Sequence, residues 1–288
     1  MIKRSDLVLT LTQRLLLLCF IFIFCYALTA LLVAFIAKIL ADNAPASLRI
    51  GTTLQDVFAF IVPAVATAVI TCRRPDRLLC ITTKPKASAI FLVLLMLVVS
   101  IPIQENIIYW NYHLELPQSM DAFAAKARAM EDMANGAMLT MMGSPTVGSL
   151  IVNLLIIGFA AGFAEELLFR GCFLRLLTTG GVNRHVAVWI VAIIFSAMHF
   201  QLFGFIPRML LGAYFGYLLL WTGSLWAPIL AHTLNNMLFV AIAWIQLRAG
   251  EPITDEPIVY PTLIAICSAI ATTATLYALH RTRPATCR

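Results

Sequence analysis

Between Arg14 and Lys38 the chain runs from Leu15 to Ala37 without a single charge. A helix needs about 20 apolar residues to cross the hydrocarbon core of a bilayer. That stretch alone directs the chain into a membrane. Composition agrees: 61% of residues are hydrophobic, 12% are charged and the mean hydropathy is +0.91, whereas soluble domains carry about 25% charged residues. The stretch is also longer than the apolar core of a secretory signal, about 7–15 residues, so it reads as a retained first span.

Apolar runs of similar length recur, and they predict about eight spans, near 13–38, 54–72, 88–109, 147–174, 186–203, 206–222, 225–247 and 259–279. In lipid a helix satisfies its own backbone, whereas a barrel would need short alternating strands that this sequence lacks. The expected fold is therefore all-α, one polytopic bundle over residues 1–288. Pro63, Pro102, Pro207, Pro228 and Pro261 fall in or beside these spans and predict kinks. The connection 105–146 leans acidic and repeats Met120, Phe123, Ala127, Met130 and Ala134 at three- and four-residue steps, so a short amphipathic helix lying on the membrane or over the bundle is expected there.

The formal charge of +6 is distributed as a topology signal. Lys3 and Arg4, then Arg73, Arg74, Arg77, Lys84 and Lys86, then Arg175 and Arg184, and finally Arg281, Arg283 and Arg288 mark alternate connections. By the positive-inside rule both termini are expected in the cytoplasm and 105–146 outside. No basic and aromatic interleaving suggests a nucleic-acid partner. Trp189, Trp221, Trp226 and Trp244 fall near span ends, where amphipathic rings prefer to lie. The seven cysteines, Cys19, Cys25, Cys72, Cys80, Cys172, Cys267 and Cys287, show no metal spacing and read as thiols rather than disulfides. The terminal TCR is no prenylation signal.

A charge at the bilayer centre costs about 2.5–3.5 kcal/mol on insertion scales, so each one asks for a reason. With span ends set aside, the polar candidates are Glu165, Glu166 and Arg170 in the fourth span, His199 in the fifth, and His232, Asn235 and Asn236 in the seventh. Glu166 and Arg170 are four residues apart with the acid first, the favourable order for an intrahelical ion pair. Glu165 points about 100° away, so the same arginine cannot serve it equally. One carboxylate is expected to be neutralised and the other left available. Gly158, Ala161 and Gly162 form a small-residue face beneath them, and Gly212 and Gly216 repeat that spacing in the sixth span.

Phe195 lies one turn before His199, and His232 one turn before Asn236. Taken singly, each pair fits ordinary interhelical packing. Together, a carboxylate, two imidazoles and a carboxamide supply what amide hydrolysis needs: a base for water, a group to position it, and donors for an oxyanion. His113, His185 and His280 fall in connections or at span ends and read as solvated or interfacial. No HExxH or GxSxG motif is present. Ser196 lies three residues from His199 without a convincing base partner.

The set EExxxR (Glu165, Glu166, Arg170), FxxxH (Phe195, His199) and HxxxN (His232, Asn236) resembles the CPBP intramembrane proteases. That family groups the CAAX prenyl endopeptidases with bacterial proteins linked to bacteriocin immunity, the Abi type. The match in order and spacing covers a motif-bearing core over 147–247, and no core motif position departs from the pattern. The resemblance implies an eight-helix bundle with an internal catalytic cavity, in a bacterial cytoplasmic membrane. It implies Glu165 as the base acting on water, aided by His199, with His232 and Asn236 as the oxyanion site and Glu166 and Arg170 in support. It implies a membrane-associated peptide or protein substrate, with prenylated CAAX peptides one option. A metal-free glutamate mechanism is preferred, and Zn²⁺ on Glu165, His199 and His232 is the alternative.

Depth limits the cavity. Glu165 is expected about 15 Å from the cytoplasmic end of its span, His232 shallow on the same side, and His199 deeper unless its span tilts. The cavity is therefore expected to open to the cytoplasm or sideways to lipid. Two rivals remain at this point: a proton- or ion-coupled transporter, because membrane Glu/His chains also relay protons, and a non-catalytic immunity-type membrane protein.

Overall fold

The computed structural model describes residues 9–251 and 257–282. Lys3, Arg4, Arg283, Arg288 and Cys287, which entered the topology and cysteine readings, lie outside the described residues. The described chain is helical throughout: α1 (Leu11–Ile39), α2 (Ala44–Thr71), α3 (Ala87–Val99), α4 (Ile101–Tyr112), α5 (Asp121–Met142), α6 (Val147–Thr179), α7 (Arg184–Ala197), α8 (Phe205–Thr222), α9 (Trp226–Ala249) and α10 (Thr262–Arg281). No strand occurs among the described residues. No disulfide joins the described cysteines.

Helix ends follow local chemistry. Thr10 and Gln13 form a reciprocal capping box that starts α1. The Asn183 side chain accepts from the N–H groups of His185 and Val186 and starts α7. Gly223 closes α8 with a left-handed φ of 67°, which lets the chain reverse sharply into α9.

Among the described residues six helices are long and apolar enough to cross a membrane: α1, α2, α6, α8, α9 and α10. The pair α3 and α4, bent by 51°, makes a seventh when read as one broken span. Pro102 supplies the break, since it has no N–H to continue the ladder. Beside it, Ser100 Oγ donates to Met96 O at 2.6 Å and is itself hydrogen-bonded by Gln104. The protein is an integral membrane protein with six or seven candidate spans among the described residues, in keeping with the all-helical bundle expected. The span expected over 186–203 is the shorter α7, 14 residues, or about 21 Å of helix. It stops because the chain turns at 198–204, where Phe200 takes a left-handed φ of 55°.

α1 shows what the outer surface meets. Only Leu18 and Thr29 on it are buried, while Leu16, Phe20, Ile23, Phe24, Leu31 and Phe35 stand exposed. Such a face is costly in water and natural in lipid.

The helix expected in 105–146 is α5. Of its apolar stripe Ala127 is buried, while Met120, Phe123 and Met130 are exposed. The bundle instead receives Ala127, Arg128 and Glu131. Arg128 decides the rotation: its guanidinium stacks over the Phe203 and Tyr112 rings at 3.3 and 4.9 Å and donates to Tyr112 O at 2.5 Å.

Candidate active site

Two glycine pairs bring four helices close enough to share a polar centre. A Cβ on Gly162 would sit 3.1 Å from Thr233 N and 3.2 Å from Thr233 Cα, so α6 and α9 touch backbone to backbone. Gly158 faces Met237 in the same contact. On α8, Gly212 faces Ala192 Cα and Phe195, and Gly216 faces Val188, so the second pair seats α7.

Gly171 lies against Leu225, as Gly162 lies against Thr233, so α6 and α9 run antiparallel. That register brings His232 level with Glu165 and Glu166. His199 reaches the same depth. Glu165 lies 14 residues before the end of α6 at Thr179, and His199 lies 15 after the start of α7 at Arg184. At about 1.5 Å per residue, both stand about 21–23 Å from that end. The deeper placement expected for His199 is thereby corrected.

Glu166 and Arg170 are both fully buried and form the expected ion pair, Nη1 to Oε1 at 2.5 Å. The same Glu166 oxygen accepts from His232 Nδ1 at 2.8 Å. Arg170 Nη2 donates to Gly212 O at 2.9 Å, and the guanidinium lies 4.5 and 5.3 Å from the Phe195 and Phe215 ring centroids. One ion pair thus ties α6 to α8 and α9. Breaking such a buried pair leaves an uncompensated charge, which is strongly destabilising.

Glu165 remains outside this knot. Among the described residues nothing hydrogen-bonds to it, and its nearest basic neighbour is His232, with Nε2 at 3.8 Å from Oε2. His199 Nδ1 lies 2.9 Å from Phe195 O. A carbonyl only accepts, so that nitrogen carries the hydrogen and Nε2 keeps its lone pair. The Phe195 ring stands edge-on to both imidazoles, 5.1 Å from His199 and 5.9 Å from His232. The Phe215 ring stacks on His232 at 4.8 Å. Asn236 Nδ2 donates to Ile157 O at 3.2 Å, which occupies one of its two N–H groups. Asn235 points elsewhere, into the cavity described below.

The donor geometry does not suit a metal. No group of three or more His, Cys, Asp or Glu side chains among the described residues is placed to hold one. Glu165, His199 and His232 therefore do not form the Zn²⁺ ligand set considered from the sequence, and no step below passes through a metal.

Three charged groups near this centre, two buried and one half-buried, escaped the sequence reading. Asp56 on α2 is 3% exposed, with Oδ2 unpartnered, and lies within electrostatic reach of Glu165. Arg208 on α8 acts on both Glu165 and His199 at the same range. Glu131 on α5 lies beyond Arg208. All three sit at or outside the ends of apolar runs, where charge is unremarkable in a sequence. The wide π-helical turns were equally invisible. They occupy Gln55–Ile61 of α2 and Leu154–Ala160 and Leu167–Leu174 of α6, and they flank the single α turn Ala161–Glu166 that carries both glutamates. Such turns often mark functional sites.

Beyond Phe215 lies a cavity of about 390 Å³, bounded by α3, α4, α8, α9 and α10 and lined by apolar residues with Gln104, Tyr214, Asn235 and Thr272 among them.

Residues 147–238 match the family model described as Type II CAAX prenyl endopeptidase Rce1-like. The matched segment contains Glu165, Glu166, Arg170, Phe195, His199, His232 and Asn236. Over 93 residues the chain is 29% identical to a Bacillus subtilis (strain 168) protein titled "Uncharacterized protein YpbD". That alignment covers 31% of this chain and 44% of the relative, so the chain spans less than half the relative's length. No solved structure matches.

Proposed function

We propose, from the premise that residues 147–238 are a domain of the Rce1-like CAAX prenyl endopeptidase family, that this chain is an intramembrane endopeptidase in which Glu165 activates water. The observation that carries this reading is the division of labour between adjacent acids. Arg170 and His232 both bind Glu166 through its Oε1, whereas Glu165 faces the same centre with no hydrogen-bonded partner on either oxygen. A structural ion pair explains the first acid and leaves the second without a task.

The chemistry then follows from the donors present. Glu165 takes a proton from water as the water oxygen bonds to the scissile carbonyl carbon. His199 Nε2, with its lone pair set by the Nδ1 contact to Phe195 O, accepts the water's other hydrogen and fixes its approach. Glu165 returns the proton to the amide nitrogen, the C–N bond breaks, and the water's second hydrogen passes to the amine, so that a carboxylate and an ammonium leave. Asn236 offers its second N–H to the oxyanion. His232 is tethered to Glu166 through Nδ1, so it donates from Nε2 only as the doubly protonated ring. Its first task is to hold the two carboxylates apart.

The substrate is a peptide held in or at the bilayer, and prenylated CAAX peptides are one class to try. The test is a cleavage screen with purified protein in lipid, comparing wild type with Glu165→Gln and His199→Ala. General-base loss should lower the rate about 10²–10⁴-fold in Glu165→Gln. A substrate cut equally by all three proteins would remove the site assignment. Ion flux in liposomes without any proteolysis would favour a transporter.

A further inference from the structure

Arg208 lies four residues before Gly212 on the same face of α8, the face that receives Arg170 on the Gly212 carbonyl and meets Phe195, and it carries a guanidinium that none of the roles above employs. It stands one turn into α8, four residues after Gly204. Nη2 donates to Gln201 Oε1 at 2.6 Å, while Nη1 is shut off from solvent and has no hydrogen-bond partner among the described residues. Gln201 belongs to the 198–204 turn that also carries His199, so the guanidinium and that imidazole are set by one loop.

The loop is held firmly. Asn111, buried at the end of α4, donates to Leu202 O at 3.3 Å and accepts from Ile206 N at 2.7 Å. Ser196 Oγ donates to Phe205 O at 2.7 Å. Gly204 leaves the space the guanidinium occupies: a Cβ there would lie 3.3 Å from Arg208 Nη2, 3.5 Å from Nη1 and 3.6 Å from Glu131 Oε1. Glu131 is thus a neighbour, yet its Oε2 and Arg208 Nη1 both remain unpartnered. The Arg208 charge also acts on Glu165 and His199 without a contact to either.

A buried donor left unpaired costs free energy, and a buried charge costs more. The arrangement is sustained where an anion arrives to complete it. In peptide hydrolysis, the anion that forms between the base and its donors is the oxyanion. The expected oxyanion donors are partly committed already, His232 Nδ1 to Glu166 and one Asn236 N–H to Ile157 O.

We propose that Arg208 is a further catalytic residue, donating from Nη1 to the oxygen of the scissile carbonyl as it becomes an oxyanion. This rests on the endopeptidase reading. As water bonds to the carbonyl carbon and loses its proton to Glu165, the C=O pair moves onto oxygen beneath the guanidinium. That pair re-forms the C=O bond as C–N breaks and the proton reaches the amine, so nothing is oxidised or reduced.

The experiment uses a peptide that wild type cleaves and Glu165→Gln does not, which secures the underlying reading first. Arg208→Gln should lower kcat by about 10²–10³-fold, the usual loss for one oxyanion donor, with KM within about twofold. Arg208→Lys, which keeps the charge but loses the fork, should recover about tenfold of that loss. Gly204→Ala, which crowds Nη2, should lower kcat less and keeps the test open should Arg208→Gln fail to fold by circular dichroism. A rise in KM with unchanged kcat, abolished when the peptide's C-terminus is amidated, would make Arg208 a carboxylate clamp and overturn the proposal. Unchanged kcat and KM in a folded Arg208→Gln would overturn it too. A wild type that cleaves nothing would remove the endopeptidase reading and this inference with it.

Discussion

The bundle has two interiors that share helices and differ in almost every other respect. On one side of Phe215, α6 to α9 meet through glycines and enclose a fully buried ion pair. On the other side, α3, α4, α8, α9 and α10 surround about 390 Å³ of apolar space. The same aromatic ring closes both, stacked on His232 at 4.8 Å and lining the cavity with its other surroundings. The difference teaches what each side is built to resist. The polar interior must hold charges at fixed separations in a medium that penalises them, so its backbones are drawn together until nothing can shift. The apolar interior carries no such penalty and is left loose.

Substitutions can break that contrast, beginning with the largest expected effect. Arg170→Gln strands Glu166 and removes the tie to Gly212, and should lower stability by about 3–5 kcal/mol, read from thermal or denaturant unfolding in detergent. Gly162→Ala places a methyl about 3 Å from the Thr233 backbone, which cannot move as a side chain end could. It should cost about 1–3 kcal/mol in the same assay. Ala231→Leu adds volume beside the cavity, and should shift stability by less than about 1.5 kcal/mol because the new atoms enter empty space. Equal losses for Gly162→Ala and Ala231→Leu would erase the distinction between the two interiors.

The smallest effect sits outside the spans. Burial of Glu131 against the bundle raises its pKa above the ordinary glutamate value. A raised acid stabilises its docked helix while protonated, so the contribution is complete below the ordinary value and is lost as pH rises through the higher one. Backbone hydrogen exchange in α5 should quicken across that window in wild type, and Glu131→Gln should flatten the dependence. A wild-type profile as flat as the variant's would count against the buried carboxyl.

What the sequence made legible was local. The Glu166–Arg170 pair followed from four-residue spacing, and the glycine faces from their own repeat, because both are properties of a single helix. The tie from His232 to Glu166 joins residues 66 positions apart, and no periodicity encodes it. The α5 stripe left open whether it faced the membrane or the bundle, because no periodicity shows that Arg128 finds aromatic rings to cover and that Glu131 follows it inward. Asp56 and Arg208 were overlooked for a related reason. A charge near the end of an apolar run looks like a boundary marker, and only the packing of neighbouring helices reveals that the boundary bends inward. The segment expected over 186–203 is shorter as a helix because a helix's length depends on where its chain turns, and hydropathy carries on through the turn at Phe200.

The wide turns of α6 have a consequence for reading its relatives. Each π-helical segment accommodates an extra residue within a continuous helix, so homologous chains can differ there by one position without losing the helix. Deleting one residue from Leu167–Leu174 would tighten the wide turn to an ordinary one and leave everything after it facing nearly the same way, whereas the same deletion in regular α-helix would swing it by about 100°. A gap in an alignment at that place would therefore be a tightened turn rather than a rotation or a loss. Motifs counted across it should be matched by direction in space, not by position in the string.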